Sequence, residues 1–486
     1  MSDSWKLSAP HDANVQGLVV SPFRHLESGE ALLLQLPLSG GGAWLDALLA
    51  KIPITDATGR STPSAALAFT WTGLEASGLD EESLTSFSQP FIEGMRQIDR
   101  QRRLGDDEAT IVEGGPLWSG NAPDAYAPPG ATVAEPTATT VHAALLLYHT
   151  DGKSLEGLTA AAEEILKPHG VKIVRRIGLS LMLQNQQPRE HFGFVDGVSQ
   201  PVPYGSTIVT VPGSPKVDPR HGIPAGDILL GHPDGNGEPV PGPLTPDQPA
   251  AAVLPNNPAA PGYRDLGLDG TYLVLRELRQ NVAAFWDSMK AAAAALGHPE
   301  RDEKWVAARV IGRTLDGDPL CPDGTLEREG GNPANAFGYA RDHKGLGCPL
   351  GSHMRRANPR DGLAPTPADR KGFLQASNNH RILRRGRKYG PLHSEKPEAE
   401  RGLLFMAINT DIARQFEFIQ QSWMFNSNFA TLYDETDPLM GPRGPFTLPG
   451  QPLRTRVGVE TYVRLVGGDY FFLPSLPALA YLAKLR

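Results

Sequence analysis

His191-Phe192-Gly193-Phe194-Val195-Asp196-Gly197-Val198-Ser199-Gln200-Pro201 sets one acid between two glycines, with aromatic and aliphatic neighbours on both sides. The glycines permit a tight, backbone-defined turn at the acid. The apolar neighbours can dry its surroundings, where the proton affinity of a carboxylate becomes tunable. By composition the same stretch is also an Asp-Gly turn closing a strand. Which reading holds depends on what the rest of the chain brings to Asp196.

Two later segments bear on that. Cys348-Pro349-Leu350-Gly351-Ser352-His353-Met354-Arg355-Arg356-Ala357-Asn358-Pro359-Arg360 contains one of the thirteen histidines. Taken singly, a histidine is more often a surface or hydrogen-bonded residue than a ligand, and Cys348 reads as packing. Asn379-His380-Arg381-Ile382-Leu383-Arg384-Arg385-Gly386-Arg387-Lys388-Tyr389-Gly390-Pro391 is a basic run. On charge alone it is a solvated loop or a phosphate-binding patch.

Together the three segments resemble the signatures of the dye-decolourizing (DyP-type) haem peroxidases. These are a Gly-x-x-Asp-Gly followed by a hydrophobic residue and Ser-Gln-Pro, a haem-ligating His between Cys-Pro and Asn-Pro-Arg, and a later Arg-Arg-Gly. Val15-Gln16-Gly17 with Leu26, Gly402-Leu403-Leu404-Phe405, Arg414–Gln420 and Asp437-Pro438-Leu439-Met440-Gly441 are similar to further family elements, so the likeness spans roughly residues 14 to 445. Length and the Pro/Gly-rich insertion are similar to the longer members.

The resemblance implies one haem b per chain with His353 as axial ligand to the iron, hydrogen peroxide as oxidant, and dyes, phenols or other aromatic one-electron donors as reductants. It implies Asp196 as acid–base catalyst and Arg384 as the cation that stabilises O–O cleavage, with Arg385 as the alternative register. Arg360 is implied at the haem propionates. Leu403 and Phe405 alternate along a strand and share a face, as a wall of the haem pocket or as ordinary core. Asp437 is a candidate partner of the His353 ring, or a turn former. Tyr389 and Trp423 match surface oxidation sites for donors too bulky to enter, or simply pack. An Asp base with a reference pKa of about 3.9 stays ionised in mild acid, so a rate maximum at roughly pH 3–5 is expected. A haem-binding carrier with incidental activity would need His353 but not Asp196, and stands as the alternative.

Short apolar runs bounded by turn residues predict strands at Val15–Val20, Ala31–Leu36, Ala143–Tyr148, Tyr272–Leu275 and Leu403–Ile408. Apolar stripes at helical spacing predict helices over Leu155–Leu166, over 282–296, and over 411–423, where an Asp cap opens a stripe of Ile412, Phe416, Ile419 and Trp423. Strand–helix–strand order in both halves predicts an α+β fold with mainly antiparallel sheets. The resemblance implies two ferredoxin-like units, dimeric α/β-barrel-like, with haem in the C-terminal one. The expected division is 1–210 with the Asp196 motif, 211–264 as a Pro/Gly-rich insertion or linker, and 265–486. The densest Pro/Gly punctuation, Pro212-Gly213 and Pro241-Gly242 included, falls at 210–262, and a second such stretch at 120–139.

The bulk numbers set limits. With 486 residues, 40% of them apolar, the chain has ample material for a packed core. A net charge of −8 argues against a nucleic-acid or anionic-membrane partner. Two cysteines, Cys321 and Cys348, make neither a disulfide scaffold nor a zinc cluster. No run reaches the ~18 apolar residues of a membrane span, and the N-terminus lacks a basic segment followed by an apolar one, so a cytoplasmic protein is expected. A homo-oligomer is left open.

Overall fold

The computed structural model describes residues 5–38, 40–120, 136–184, 186–204, 207–208, 222–321, 335, 337–450 and 453–486. The Pro212-Gly213 pair and most of 120–139 lie outside the described residues.

Most of the apolar runs form strands buried on both sides, as continuous rather than alternating patterns require, whereas the strand at Lys172–Ser180 is partly exposed. In chain order they are β1 (Ser28–Gln35), β2 (Ser64–Phe69), β3 (Ala143–His149), β4 (Lys172–Ser180), β5 (Thr271–Gln280), β6 in two pieces (Leu383–Arg384 and Arg387–Tyr389), β7 (Gly402–Asn409) and β8 (Val463–Leu473). Both pieces of β6 pair with β7, so they act as one broken strand. The order is β2-β3-β1-β4-β6-β7-β5-β8, every pairing is antiparallel, and the ends meet where β8 pairs β2. The sheet is therefore a closed barrel, which leaves no open edge.

Each half repeats one plan. Counted within its own half, the strand order is 2-3-1-4 for β1–β4 and again for β5–β8, with helices in the two crossovers. These are two ferredoxin-like units. In the first, helix Gly152–Leu166 follows the third strand and is capped by Asp151, which accepts from Ser154 N. In the second, helix Val282–Leu296 follows the first strand, is capped by Asn281, and stops at Gly297 in the left-handed region. Residues from all eight strands, among them Leu33, Ala66, Leu146, Ile177, Leu275, Leu383, Met406 and Phe471, fill the barrel interior. The alternate residues face outward beneath the helices.

The units are joined by thin seams. Phe472 opposite Phe69 is the single ladder pair at one, and Lys388 opposite Ser180 at the other. The first seam is reinforced by a side chain. Gln16, fully buried, donates from Nε2 to the carbonyls of Leu67 and Pro474, both at 2.8 Å, and accepts from Leu67 N at 3.0 Å.

Two expectations are corrected here. Val15–Val20 is not a strand: Gly17–Val20 is one helical turn, buried throughout. A short run buried on all sides carries no period by which to tell strand from helix. Close packing sets the conformation instead, since Gly17 donates to Thr55 O at 2.7 Å and a Cβ on it would lie 2.5 Å from Asp56 O. The 411–423 segment is helical and Asp411 accepts from Arg414 N, but it winds as a π-helix over Ala413–Glu417 and Ile419–Met424. Glu417 N bonds Ile412 O and Phe425 N bonds Gln420 O, both five residues back.

Replacing Gln16 with Ala strands buried polar groups on Leu67 and Pro474. We expect it to cost on the order of 2–4 kcal/mol, read as a lower urea midpoint with an unchanged slope.

Candidate active site

The 191–201 segment leaves β4 and crosses to the second unit. Gly193 and Gly197 both take positive φ, at 99° and 72°, which only glycine does at little cost. Asp196 N donates to Pro188 O, and Val195 N to Leu315 O. The carboxylate accepts from Gly197 N at 2.6 Å and lies 3.4 Å from Lys388 Nζ. Burial alone would raise its pKa, but Lys388, Arg384 and the Gly197 amide together hold it below the ordinary carboxylate value.

The rest of the motif serves Arg384. Its N–H donates to Gln200 Oε1 and its Nη2 to Ser199 O, both at 3.0 Å. Arg384 lines a large cavity together with Asp196. Arg385 does not: its guanidinium donates to Leu18 O and Val19 O at the end of the Gly17–Val20 turn. Neighbouring residues of an extended chain face opposite sides, and at Gly386 the chain runs close against β7, with Leu404 O only 2.7 Å from a would-be Cβ.

His353 lines the same cavity. It opens the short helix His353–Ala357, preceded by the extended residue Ser352. Its Nδ1 lies 3.0 Å from Asp437 Oδ2 and 3.1 Å from Oδ1. Asp437 is itself held by the amides of Leu439 and Met440. Burial would raise this carboxyl too, yet His353, the Met440 amide and Arg356 outweigh it and keep the pKa low. A carboxylate on Nδ1 orients the ring and leaves Nε2 available to ligate a metal.

The cavity has a volume of about 270 Å³. It lies on the outer face of the second unit, between β5 and β7 on one side and the π-helix on the other. Leu403 and Phe405 are both on its wall, with Phe194, Phe416, Ile419, Met424 and Leu439. A smaller cavity of ≈ 60 Å³ adjoins at Asp196 and is lined by Arg24, Arg384, Arg385, Arg387 and Lys388.

Other charged groups on the large cavity were not singled out from the sequence. Arg276, Arg313 and Arg381 line it, and burial brings Arg313 and Arg381 each down to about 10. Glu190 also lines it; burial raises its pKa to about 7, against hydrogen bonds from the Phe192 and Phe194 amides and Gln280. The sequence did hold one signal: the strand turns charged at Arg276-Glu277, directly after the apolar run Tyr272-Leu273-Val274-Leu275. Lys388 carried none beyond its basic neighbours, yet it is 2% exposed at the side chain.

Three sequence-derived site residues lie elsewhere. Arg360 does not reach the cavity: it donates to the carbonyls of Asn335 and Phe337 and lies 3.4 Å over the Phe337 ring. Tyr389 and Trp423 are not at the surface, each being 7% exposed. Tyr389 packs into the barrel interior. Trp423 meets His380 and Phe418 edge-on. From the same helix Phe416, Ile419, Gln420 and Met424 reach the cavity wall, while Trp423 packs in a buried cluster with Ile419, Met424 and Phe429.

The chemistry of these groups suits haem. The walls are apolar, His353 offers one nitrogen, and the buried Arg276 Nε and Nη1 have no partner among the described residues while its Nη2 holds Asp106. The carboxylates of a porphyrin are what such a guanidinium lacks.

Paired ferredoxin-like units closed into one barrel, with an imidazole on an apolar cavity, define the class of α+β barrels suited to carrying haem. No protein-family model matches the chain. It is 32% identical over 366 residues to the multifunctional dye peroxidase DyP2 of an Amycolatopsis species, covering 70% of this chain and 71% of that protein. It is 29% identical over 375 residues to the dye-decolorizing peroxidase msp1 of Mycetinis scorodonius, covering 70% and 66%. Among solved structures, the DyP-type peroxidase of Anabaena superposes with a TM-score of 0.73 at 26% identity, over 98% of this chain and 95% of that one. The chain belongs to the dye-decolorizing (DyP-type) peroxidase family, whose members are haem enzymes.

Asp437→Asn leaves a neutral partner on the His353 ring. Loss of such an outer partner typically costs 10–100-fold in metal affinity, so we expect faster transfer of haem to apomyoglobin with the circular dichroism spectrum unchanged.

Proposed function

We propose that the protein reduces hydrogen peroxide and oxidises dyes, phenols and related aromatic donors, with one haem b per chain held by His353. The observation that carries this reading is the convergence of Asp196, Arg384 and a carboxylate-held His353 on one cavity. When bound, haem supplies the redox chemistry: two-electron reduction of peroxide, then one-electron oxidation of donors. Asp196, as carboxylate, takes a proton from the near oxygen of peroxide and delivers it to the far oxygen as water departs. Arg384, fixed by Ser199 and Gln200, faces the oxygen on which negative charge develops; a cation already in place there costs no reorganisation. Asp437 keeps the His353 ring oriented and electron-rich. The apolar wall of Leu403, Phe405 and Phe416 excludes water that would compete for the proton.

The low pKa of Asp196 fixes the sign of the pH dependence. Only the ionised form accepts the proton, so turnover falls as pH drops through the depressed pKa and the enzyme stays active in acid. Optimal rates are expected at roughly pH 3–5.

Asp196→Ala is expected to lower kcat/KM for peroxide by about 10²–10⁴ while the Soret band persists. A haem carrier with incidental activity would keep its slow turnover in this variant, and that result overturns the proposal. Arg384→Leu should lose about 10²–10³ in kcat and, because it removes a cation that lowers the Asp196 pKa, move the acid limb to higher pH.

Lys388→Met removes one of the cations that oppose burial at Asp196, so the carboxyl pKa rises and the acid limb of the pH–rate profile moves to higher pH. An unmoved limb would show that a group other than Asp196 controls it.

A further inference from the structure

At the end of β5 remote from the cavity lies a second group of ligating side chains. His11 Nδ1 and His232 Nε2 each lie 2.7 Å from Asp269 Oδ1. Asn14 Nδ2 donates to the other carboxylate oxygen at 3.0 Å. One ligating atom from each of His11, His232 and Asp269 falls within 4.8 Å of the others. The histidines reach Asp269 from 258 and 37 residues away in the chain. Their rings meet edge-on with centroids 4.6 Å apart.

The backbone is committed to this arrangement. Asp269 has φ +63°, a conformation a non-glycine residue rarely adopts, though Asp does so more readily than most. It is held there by its own N–H on Leu230 O and by Leu230 N on Gly270 O, the loop that also carries His232.

We infer that His11, His232 and Asp269 form a binding site for one divalent transition-metal ion of the zinc type. Two imidazole nitrogens and one carboxylate oxygen are a borderline donor set of the sort that selects such ions over calcium or magnesium. With metal–ligand bonds of about 2.0–2.2 Å, tetrahedral donors stand roughly 3.4 Å apart, so the 2.7 Å separations need open by only about 0.7 Å. The His11 side chain, 34% exposed, has the freedom to make that movement and gives the ion a way in. Water completes the coordination, and Asn14 orients the carboxylate from behind, as outer partners of metal ligands do.

The site is a staple, not a redox centre. Seven residues of extended chain, roughly 23 Å, separate Asp269 from Arg276 on the cavity. What the ion joins is the turn at 11–14, the 231–240 loop and the start of β5. Since Gln16 of the same N-terminal segment bridges Leu67 and Pro474, the ion would anchor the segment on which one barrel seam relies.

The test uses the full-length, tag-free, haem-loaded protein, stripped with chelator and titrated with Zn²⁺ alone by calorimetry and by thermal unfolding. One Zn²⁺ per chain and a raised Tm are expected. His232→Ala and His11→Ala should each weaken binding at least about tenfold, the lower end of what even outer partners contribute, and abolish the rise in Tm, while peroxide turnover stays at the wild-type level. His11→Ala alters a partly exposed side chain, so it reads the site even where His232→Ala unfolds. His298→Ala, at an exposed histidine outside the group, should change nothing. No zinc uptake by the wild type, or equal uptake in both site variants, overturns the inference without touching the haem reading.

Discussion

The pairing of Lys388 with Ser180, a single rung where the two units meet, is the contact on which the active site depends. Ser180 ends β4, and the chain beyond it must pass onto the second unit, which carries Asp196 to the wall of that unit's cavity. Lys388 sits in β6 four residues after Arg384, so the same rung brings Arg384 to the acid. Lys388 then meets Asp196 directly, 3.4 Å away. Barrel closure and assembly of the acid–guanidinium pair are one event, and neither unit alone could supply both groups.

The second constraint is charge in a dry place. Arg276, Arg313, Arg381 and Arg384 surround one apolar cavity, an arrangement that is costly unless anions balance it. Asp196 answers part of that charge and is held ionised by it. Glu190 is pushed the other way, to about 7, by burial and by the charge of Asp196. Two carboxyls on one wall therefore differ in proton affinity because of what lies beside each, which is how a single cavity keeps one acid charged at low pH and the other largely neutral. The carboxylates of a porphyrin would complete the balance.

Much of the fold was legible where a pattern extended over several turns. The helix at 282–296 has the bounds its apolar stripe implies, because capping by Asn281 and the stop at Gly297 are local. The strands of β3, β5 and β7 were legible as apolar runs. Reading failed where neighbours override local preference. Val15–Val20 is wound into a turn by contact with 55–56, and the 411–423 stripe is rewound as a π-helix. Tyr389 and Trp423 match by position, but their burial depends on the packing of other segments, which no residue count along the chain records.

What the chain determined by itself was local chemistry: the two glycines around Asp196, the imidazole of His353, the basic run with Arg384, and the order of elements that makes two ferredoxin-like units. These follow from φ/ψ preference, residue type and period, all readable over a few residues. Tertiary structure alone decided which guanidinium of the Arg384-Arg385 pair faces the cavity, that Lys388 and Glu190 stand beside Asp196 with opposite electrostatic consequences, that Arg360 braces a loop instead, and that His11, His232 and Asp269 converge. Each of these depends on the separation in space of groups that lie tens or hundreds of residues apart, and closure of the barrel is what sets that separation.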